Sequence, residues 1–263
     1  MISRFVWYHR IQTVSRTLSS MANNNKNLLV FDFDHTLVDG NTDTWILKLL
    51  PNAKVPVQIH RHYRMHNSWT DYMAEIMGHM HQLKITPEQI KDCMKEIPFI
   101  DGMKDLLMYQ AENGSFDCII VSDSNMVFIN TILEATRLEK AVMKVVTNPG
   151  HFDDKGCLKI KHYHSHDCDY CPLNLCKREV LWDYIRVQKQ GGNGYASVCY
   201  VGDGNNDFCP CESLSEKDLV FPRKGFNLLK KITNYQEKGK KFSPKVFPWV
   251  TGFEITEKLK TLL

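Results

Sequence analysis

Residues 28–36 read LLVFDFDHT, and the parsing of that stretch decides the fold. Leu28–Phe33 is a short apolar run with a β-branched residue and two aromatics, which predicts a buried strand. A strand apolar on both faces belongs in a parallel sheet covered by helices. Asp32 and Asp34 interrupt the run two residues apart, and side chains at that spacing on a strand project to the same side. They fall where the chain must leave the strand, at its carboxyl end, which is where open parallel sheets bind ligands. Two carboxylates this close repel, and an apolar strand is a costly place for them. A divalent cation relieves both problems.

The same pattern continues outward. Phe116–Val121 (FDCIIV), Val142–Val146, Val198–Val201 (VCYV) and Leu219–Phe221 read as further strands. Helical periodicity over Asp101–Asn113, Met126–Thr136 and Leu175–Gln188 alternates with them. Strands alternating with helices predict an α/β fold with a doubly wound, Rossmann-like parallel sheet. Residues 41–97 break the alternation. Ser68–Leu83 puts Trp69, Tyr72, Met73, Ile76, Met77, Met80 and Leu83 on one helical stripe. Thr86-Pro87-Glu88-Gln89 has the form of a helix start, with a hydroxyl cap, Pro at the first position and Gln at the third. The expected organisation is a core of residues 21–40 and 98–263 with a small helical unit inserted at 41–97.

The chain has 263 residues, 43% hydrophobic and 24% charged, enough for a packed core. No apolar run is long enough to span a membrane. Arg4, Arg10 and Arg16 lie ahead of the first acidic residue, Asp32, and account for the formal net charge of +3. The remainder is balanced, so net charge gives no support to a nucleic-acid partner. Residues 1–20 are rich in arginine and hydroxyl residues and free of acids. They resemble a mitochondrial presequence, or are a dispensable extension ahead of Met21 in a cytoplasmic protein. Both readings stay open, and both leave residues 1–20 outside the fold. Nine cysteines without a secretory signal argue against an extracellular disulfide framework.

Three more polar groups follow strands or open a helix. These are Ser122-Asp123-Ser124-Asn125, Lys177, and Gly202-Asp203-Gly204-Asn205-Asn206-Asp207. A hydroxyl, an ammonium and additional carboxylates beside Asp32 and Asp34 have the logic of phosphoryl transfer: a nucleophile, a cation, oxygen-binding donors and an acid/base. The glycine-rich run is not a P-loop, because G-x-x-x-x-G-K-[ST] is absent.

D-x-D-x-T, S-D after a strand, a lysine, and G-D-G-x-N-D, in that order, resemble the haloacid dehalogenase (HAD) superfamily of phosphatases. The longer stretches VFDFDHTLVDGNTDTW, FDCIIVSDSN, CPLNLCK and YVGDGNNDFCP with FPRKG are similar to its branch acting on pyridoxal phosphate and on phosphoethanolamine or phosphocholine. The second of these stretches looks closer to the pyridoxal phosphate side. The resemblance covers roughly residues 27–263 and implies roles. Asp32 is then the nucleophile forming an aspartyl-phosphate. Asp34 is the acid and then the base, with Thr36 orienting it. Ser122 and Lys177 hold phosphate oxygens. Magnesium (Mg2+) is held by Asp32, the backbone carbonyl of Asp34 and Asp203, with Asp207 behind them. The insert corresponds to a cap.

Asp43 and Asp123 fall where this branch contacts substrate. A carboxylate attracts a cationic group by about 4 kcal/mol at roughly 4 Å and an effective dielectric of about 20, before desolvation. That favours amino- or pyridinium-bearing phosphomonoesters. It does not choose among them; the resemblance puts pyridoxal 5'-phosphate first, with phosphoethanolamine, phosphocholine, pyrophosphate and thiamine monophosphate as alternatives. Trp45, Trp69 and Tyr72 offer cation–π contact, but helix packing already explains the spacing of Trp69 and Tyr72, which are read as insert core. His166, Cys168, Cys171 and Cys176 have metal-ligand spacing for a Cys3His zinc site. That spacing is not one of the common zinc modules, so the reading adopted is reduced thiols and surface histidines around a turn at Pro172. The insert histidines His60, His62, His66, His79 and His81 show no acidic partner pattern and are read as solvated.

Overall fold

The computed structural model describes residues 26–261, so the reading of residues 1–20 lies outside the described residues. In chain order the strands are β1 (Asn27–Phe31), β2 (Phe116–Asn125), β3 (Lys144–Asn148), β4 (Gly150–Phe152), β5 (Leu158–Ile160), β6 (Val198–Gly202), β7 (Leu219–Pro222) and β8 (Lys245–Val246). Six of them form one sheet of order β3-β2-β1-β6-β7-β8, and every pairing in it among the described residues is parallel. β4 and β5 make a separate antiparallel hairpin. The α/β, Rossmann-like parallel sheet is the fold expected from the sequence.

Period-two burial explains the layers. Leu29 and Phe31 join Cys118, Ile120, Cys199 and Val201 on one face. Leu28 and Val30 join Ile119, Val121, Val198 and Tyr200 on the other. The first face is covered by α5 (Met103–Asn113), α6 (Met126–Thr136) and α10 (Gly252–Lys260), through residues such as Leu106, Phe128 and Ile255. The second is covered by α7 (Lys177–Gln190) and α9 (Asn227–Glu237), through Leu181 and Leu228. A short α8 (Phe208–Glu212) follows β6.

Four helices stand between β1 and β2: α1 (Thr42–Trp45), α2 (Val57–His66), α3 (Trp69–Gln82) and α4 (Pro87–Lys95). Ser68 caps α3 by accepting from the Asp71 N–H (3.3 Å). Thr86 and Gln89 form a reciprocal capping box on α4. The two chain segments leading into and out of these helices pair with each other. Val38 bridges Phe99 antiparallel, and the Asp39 N–H donates to Pro98 O (2.7 Å). The segment just past the β4–β5 hairpin meets the start of α3, where His162 lies 3.0 Å from Ser68 Oγ and 3.3 Å from Asp71.

Some boundaries differ from expectation. β1 ends at Phe31, two residues short of Phe33, because the N–H groups of Thr36, Leu37 and Val38 all turn back to Phe33 O. β2 runs on to Asn125. The insert histidines are not simply solvated: His62 pairs with Glu75, and His60 Nδ1 lies 2.8 Å from the Tyr72 hydroxyl. Both contacts tie α2 to α3, a tertiary pairing invisible to local sequence patterns.

Candidate active site

Register brings the separated motifs together. Phe31 is aligned with Ile120 of β2 and Val201 of β6. One residue on, the Asp32 N–H donates to Val201 O (2.9 Å) and the Asp32 side chain emerges at the sheet's carboxyl edge. Ser122 and Asp203 come to the same edge just past those partners. Lys177 opens α7 and is 0% exposed. Its Nζ lies 2.9 Å from Asp32 Oδ1 and 2.8 Å from Asp207 Oδ1.

Asp207 is the best-anchored of these groups. One oxygen accepts from Lys177 and from the Tyr200 hydroxyl (2.8 Å each). The other accepts from the backbone N–H of Asp203 (3.0 Å) and of Gly204 (2.9 Å). Gly202 makes that approach possible, since a Cβ there would stand 2.6 Å from Asp207 Cγ.

Asp34 is held by Thr42 at the start of the helical insert. The Thr42 N–H donates to Oδ1 (2.9 Å) and its hydroxyl to Oδ2 (3.1 Å). The same hydroxyl lies 2.8 Å from Ser124 Oγ. This corrects the expectation for Thr36. The tight turn after Phe33 sends Thr36 beneath β6, where its hydroxyl donates to Asp203 Oδ1 (3.3 Å) rather than to Asp34.

A cavity of about 210 Å³ opens on this edge, lined by Asp32, Asp34, Ser122 and Asp203 with Asp43, Asp123, Trp69 and Asn206 among the other walls. Asp43 accepts from Trp69 Nε1 (2.7 Å). Trp69 therefore faces the cavity and is not insert core, because its indole N–H needs an acceptor and finds one in Asp43. Tyr72 is buried as read, against Tyr63 and Trp69. Trp45 packs inside the insert, donating to Cys93 O (3.0 Å). Asp123 accepts from Asn206 Nδ2 (2.7 Å) at Oδ2, while its Oδ1 is buried with no hydrogen-bond partner. Sequence reasoning missed Thr42, Tyr200 and Asn206. Their only local signal was position, inside or one strand away from motifs already singled out.

The protonation of the site follows from burial. Burial, then the neighbouring Asp43 carboxyl, push Asp34 up to about 8 against the Thr42 donors. Burial and the Asp207 carboxylate raise Asp32 well above the usual carboxylate range, although Lys177 pulls the other way. Asp203 is pushed up to about 7 by burial and Asp207. Burial raises Asp43 to about 6. Burial alone would lower Lys177, but the carboxylates of Asp207, Asp32 and Asp123 win and hold it firmly charged.

Oxygens of Asp32, Asp203 and Asp207 all lie within 4.8 Å of one another. Each Asp207 oxygen already takes two donors, so its lone pairs are used. Asp32 and Asp203 keep acceptor capacity toward the cavity. The donor set, hard oxygens crowded enough to resist ionisation, fits a divalent cation such as magnesium. His166 is elsewhere: Nε2 lies 2.7 Å from Pro172 O, and Nδ1 accepts from the Cys168 N–H (3.1 Å).

The family model described as "Putative Phosphatase" matches residues 27–263. The human pyridoxal phosphate phosphatase PHOSPHO2 is 38% identical over 239 residues, covering 90% of this chain and 99% of its own. The chain belongs to the HAD phosphatase family. As such a phosphatase it is a phosphomonoester hydrolase. A second branch of relatives includes the human phosphoethanolamine/phosphocholine phosphatase, 33% identical over 90% of this chain and 89% of that protein. The HAD phosphatase fold is shared with an apo phosphoserine phosphatase (TM-score 0.54, 16% identity, 89% of this chain and 98% of that one). It is shared also with a HAD hydrolase from Salmonella enterica serovar Typhi (TM-score 0.55, 15% identity, 88% and 75%).

Proposed function

We propose that this HAD phosphatase hydrolyses a small phosphomonoester bearing a cationic group, pyridoxal 5'-phosphate first, through an aspartyl-phosphate on Asp32. The observation that carries this reading is the division of labour between two carboxyls on one cavity. Asp32 Oδ1 is fixed by Lys177 (2.9 Å) and the Phe33 N–H (2.7 Å), leaving Oδ2 to face a phosphorus atom. Asp34, pushed up to about 8, carries a proton near neutral pH.

Asp32 Oδ2 attacks phosphorus as the ester P–O bond breaks, and the leaving oxygen takes the Asp34 proton. Water then attacks the aspartyl-phosphate, Asp34 accepts its proton, and the bond to Asp32 breaks to release phosphate. Ser122 and Lys177 hold phosphate oxygens throughout. HAD phosphatases generally use magnesium, and here Asp32, the Asp34 carbonyl and Asp203 would hold it while Asp207 braces them. When bound, the ion would supply charge neutralisation at the transferring group and would favour the ionised form of Asp32. The insert, residues 41–97, serves as a cap that excludes bulk water and presents Asp43 and Trp69.

Substrate choice follows from Asp43 and Asp123, whose carboxylates attract a cation beside the phosphate. The naming of one set of relatives as pyridoxal phosphate phosphatases supports the first reading. Trp69 on the cavity favours phosphoethanolamine or phosphocholine as a second, because an indole beside a carboxylate suits an ammonium head. Turnover with magnesium on pyridoxal phosphate, phosphoethanolamine, phosphocholine, pyrophosphate and thiamine monophosphate decides between them. Asp32→Asn is expected to lose at least ~10³-fold in kcat on whichever is hydrolysed. Retained turnover in that variant would refute the nucleophile.

A further inference from the structure

We infer that Cys168, Cys171, Cys176 and Cys209 form a structural zinc site that ties the segment before Lys177 to the segment after Asp207. The four sulfurs all lie within 4.8 Å of one another. Cys168 Sγ is 3.5 Å from Cys209 Sγ, and Cys171 Sγ is 3.7 Å from Cys176 Sγ. All four are unpaired thiols. Zinc–sulfur bonds of about 2.3 Å in a tetrahedron place sulfurs about 3.8 Å apart, so these distances are those of four thiolates around one ion. Tetrahedral all-sulfur geometry selects zinc or iron, and a closed site with no vacant position is structural rather than catalytic.

The surroundings suit bound thiolates. Cys176 occupies the N-cap position of α7, whose N-terminal N–H groups favour a thiolate, and Cys209 lies in the short α8. The Arg178 guanidinium points at Cys168 Sγ from 3.9 Å. Cys209 and Cys176 are buried, while Cys168 and Cys171 are half-buried and leave a route for the ion. The sequence reading adopted reduced thiols here over a Cys3His site; His166, the fourth ligand of that alternative, has both ring nitrogens engaged by backbone. Cys209 takes that place from a position 33 residues beyond Cys176.

The fold also supplies a reason for the site. Residues 161–176 form a connection of 16 residues without helix or strand. Ordered connections of that length are uncommon unless something holds them. This one ends directly on Lys177, whose ammonium must meet Asp207 at 2.8 Å inside the protein. Cys176 is one residue before Lys177 and Cys209 two after Asp207. An ion on these four sulfurs fastens both backbones on which that buried pair depends.

The test is metal content and coordination of the full chain, prepared under reducing conditions with one equivalent of zinc supplied and with magnesium left out and unbound metal removed by desalting. About one tightly held zinc per chain is expected, with an X-ray absorption shell of four sulfurs near 2.3 Å. Cys209→Ser and Cys168→Ser should lose that zinc, and His166→Ala should keep it. The absorption measurement on wild-type protein needs no variant to fold. Absence of stoichiometric zinc, iron in its place, a shell containing nitrogen or oxygen, or two disulfides in the reduced preparation would each overturn the inference. None of these readouts depends on turnover, so failure of the zinc site and failure of the phosphatase reading are told apart.

Discussion

Asp43 and Asp34 are both buried carboxyls, yet they differ in proton affinity in the sense that the different tasks proposed for them require. Asp34, near 8, is a proton donor at neutral pH, whereas Asp43, near 6, is an anion there. Asp43 is ionised above its raised value, so its attraction for a cationic substrate is present above about pH 6 and is lost as pH falls through 6. In Asp43→Asn, KM for an amino- or pyridinium-bearing substrate should rise about tenfold at pH 7.5, with little change for an aryl phosphate that carries no cationic group. The difference between wild type and variant should fade below pH 6, where wild-type Asp43 is protonated. Equal losses on all substrates at all pH values would refute the assignment. Much of this residue-level site was legible because strand ends carry their chemistry in contiguous motifs. The Thr36 reading failed for a physical reason. Its orientation depends on how tightly the chain turns after Phe33, and three N–H groups sharing one carbonyl is not a feature composition reveals. Thr42 was missed because its partner Asp34 is eight residues away, across that turn.

At the scale of elements, the turn after β6 deserves its glycine. A methyl group on Gly202 would overlap Asp207 at 2.6 Å, and Asp207 cannot retreat without releasing Lys177, Tyr200 and two N–H groups. Gly202→Ala is expected to destabilise by about 1–3 kcal/mol, as overpacking does. It should also lower kcat by displacing Lys177. Urea unfolding and steady-state kinetics check both, and an unchanged midpoint would mean that Asp207 adapts freely. Elements with strong periodicity, such as α3 and α6, were readable from sequence. α2 was not, since VQIHRHYRMH is mostly polar and basic and offers few apolar side chains to read. β8 has two residues, too few for any pattern. The β4–β5 hairpin escaped because its three-residue strands take their meaning from packing on α3, as Leu158 and Ile160 do in the core beneath it.

For the molecule as a whole, the acids at the sheet edge should make stability depend on protons and, with the proposed magnesium, on metal as well. Asp203 and Asp34 ionise near 7 and 8 in the folded state against 3.8 as the ordinary value. A raised carboxyl stabilises the fold while protonated. Its contribution erodes as pH climbs above the unfolded value and is gone above the folded one. Metal-free enzyme should therefore lose several degrees of Tm between pH 6 and pH 8.5, and magnesium should recover more at pH 8.5 than at pH 6. Thermal melts with chelator and with magnesium check this; a rising Tm in the chelated sample would contradict it.

The attachment of Asp34 to Thr42 has a further consequence. The donor belongs to the first helix of the insert, and the acceptor to the loop leaving β1, so one pair of hydrogen bonds joins the insert to the sheet edge. Those bonds favour the ionised carboxyl. Insert position and Asp34 charge are thus linked variables, and linkage is reciprocal. Ionising Asp34 strengthens its bonds to Thr42, and loss of those bonds raises its proton affinity.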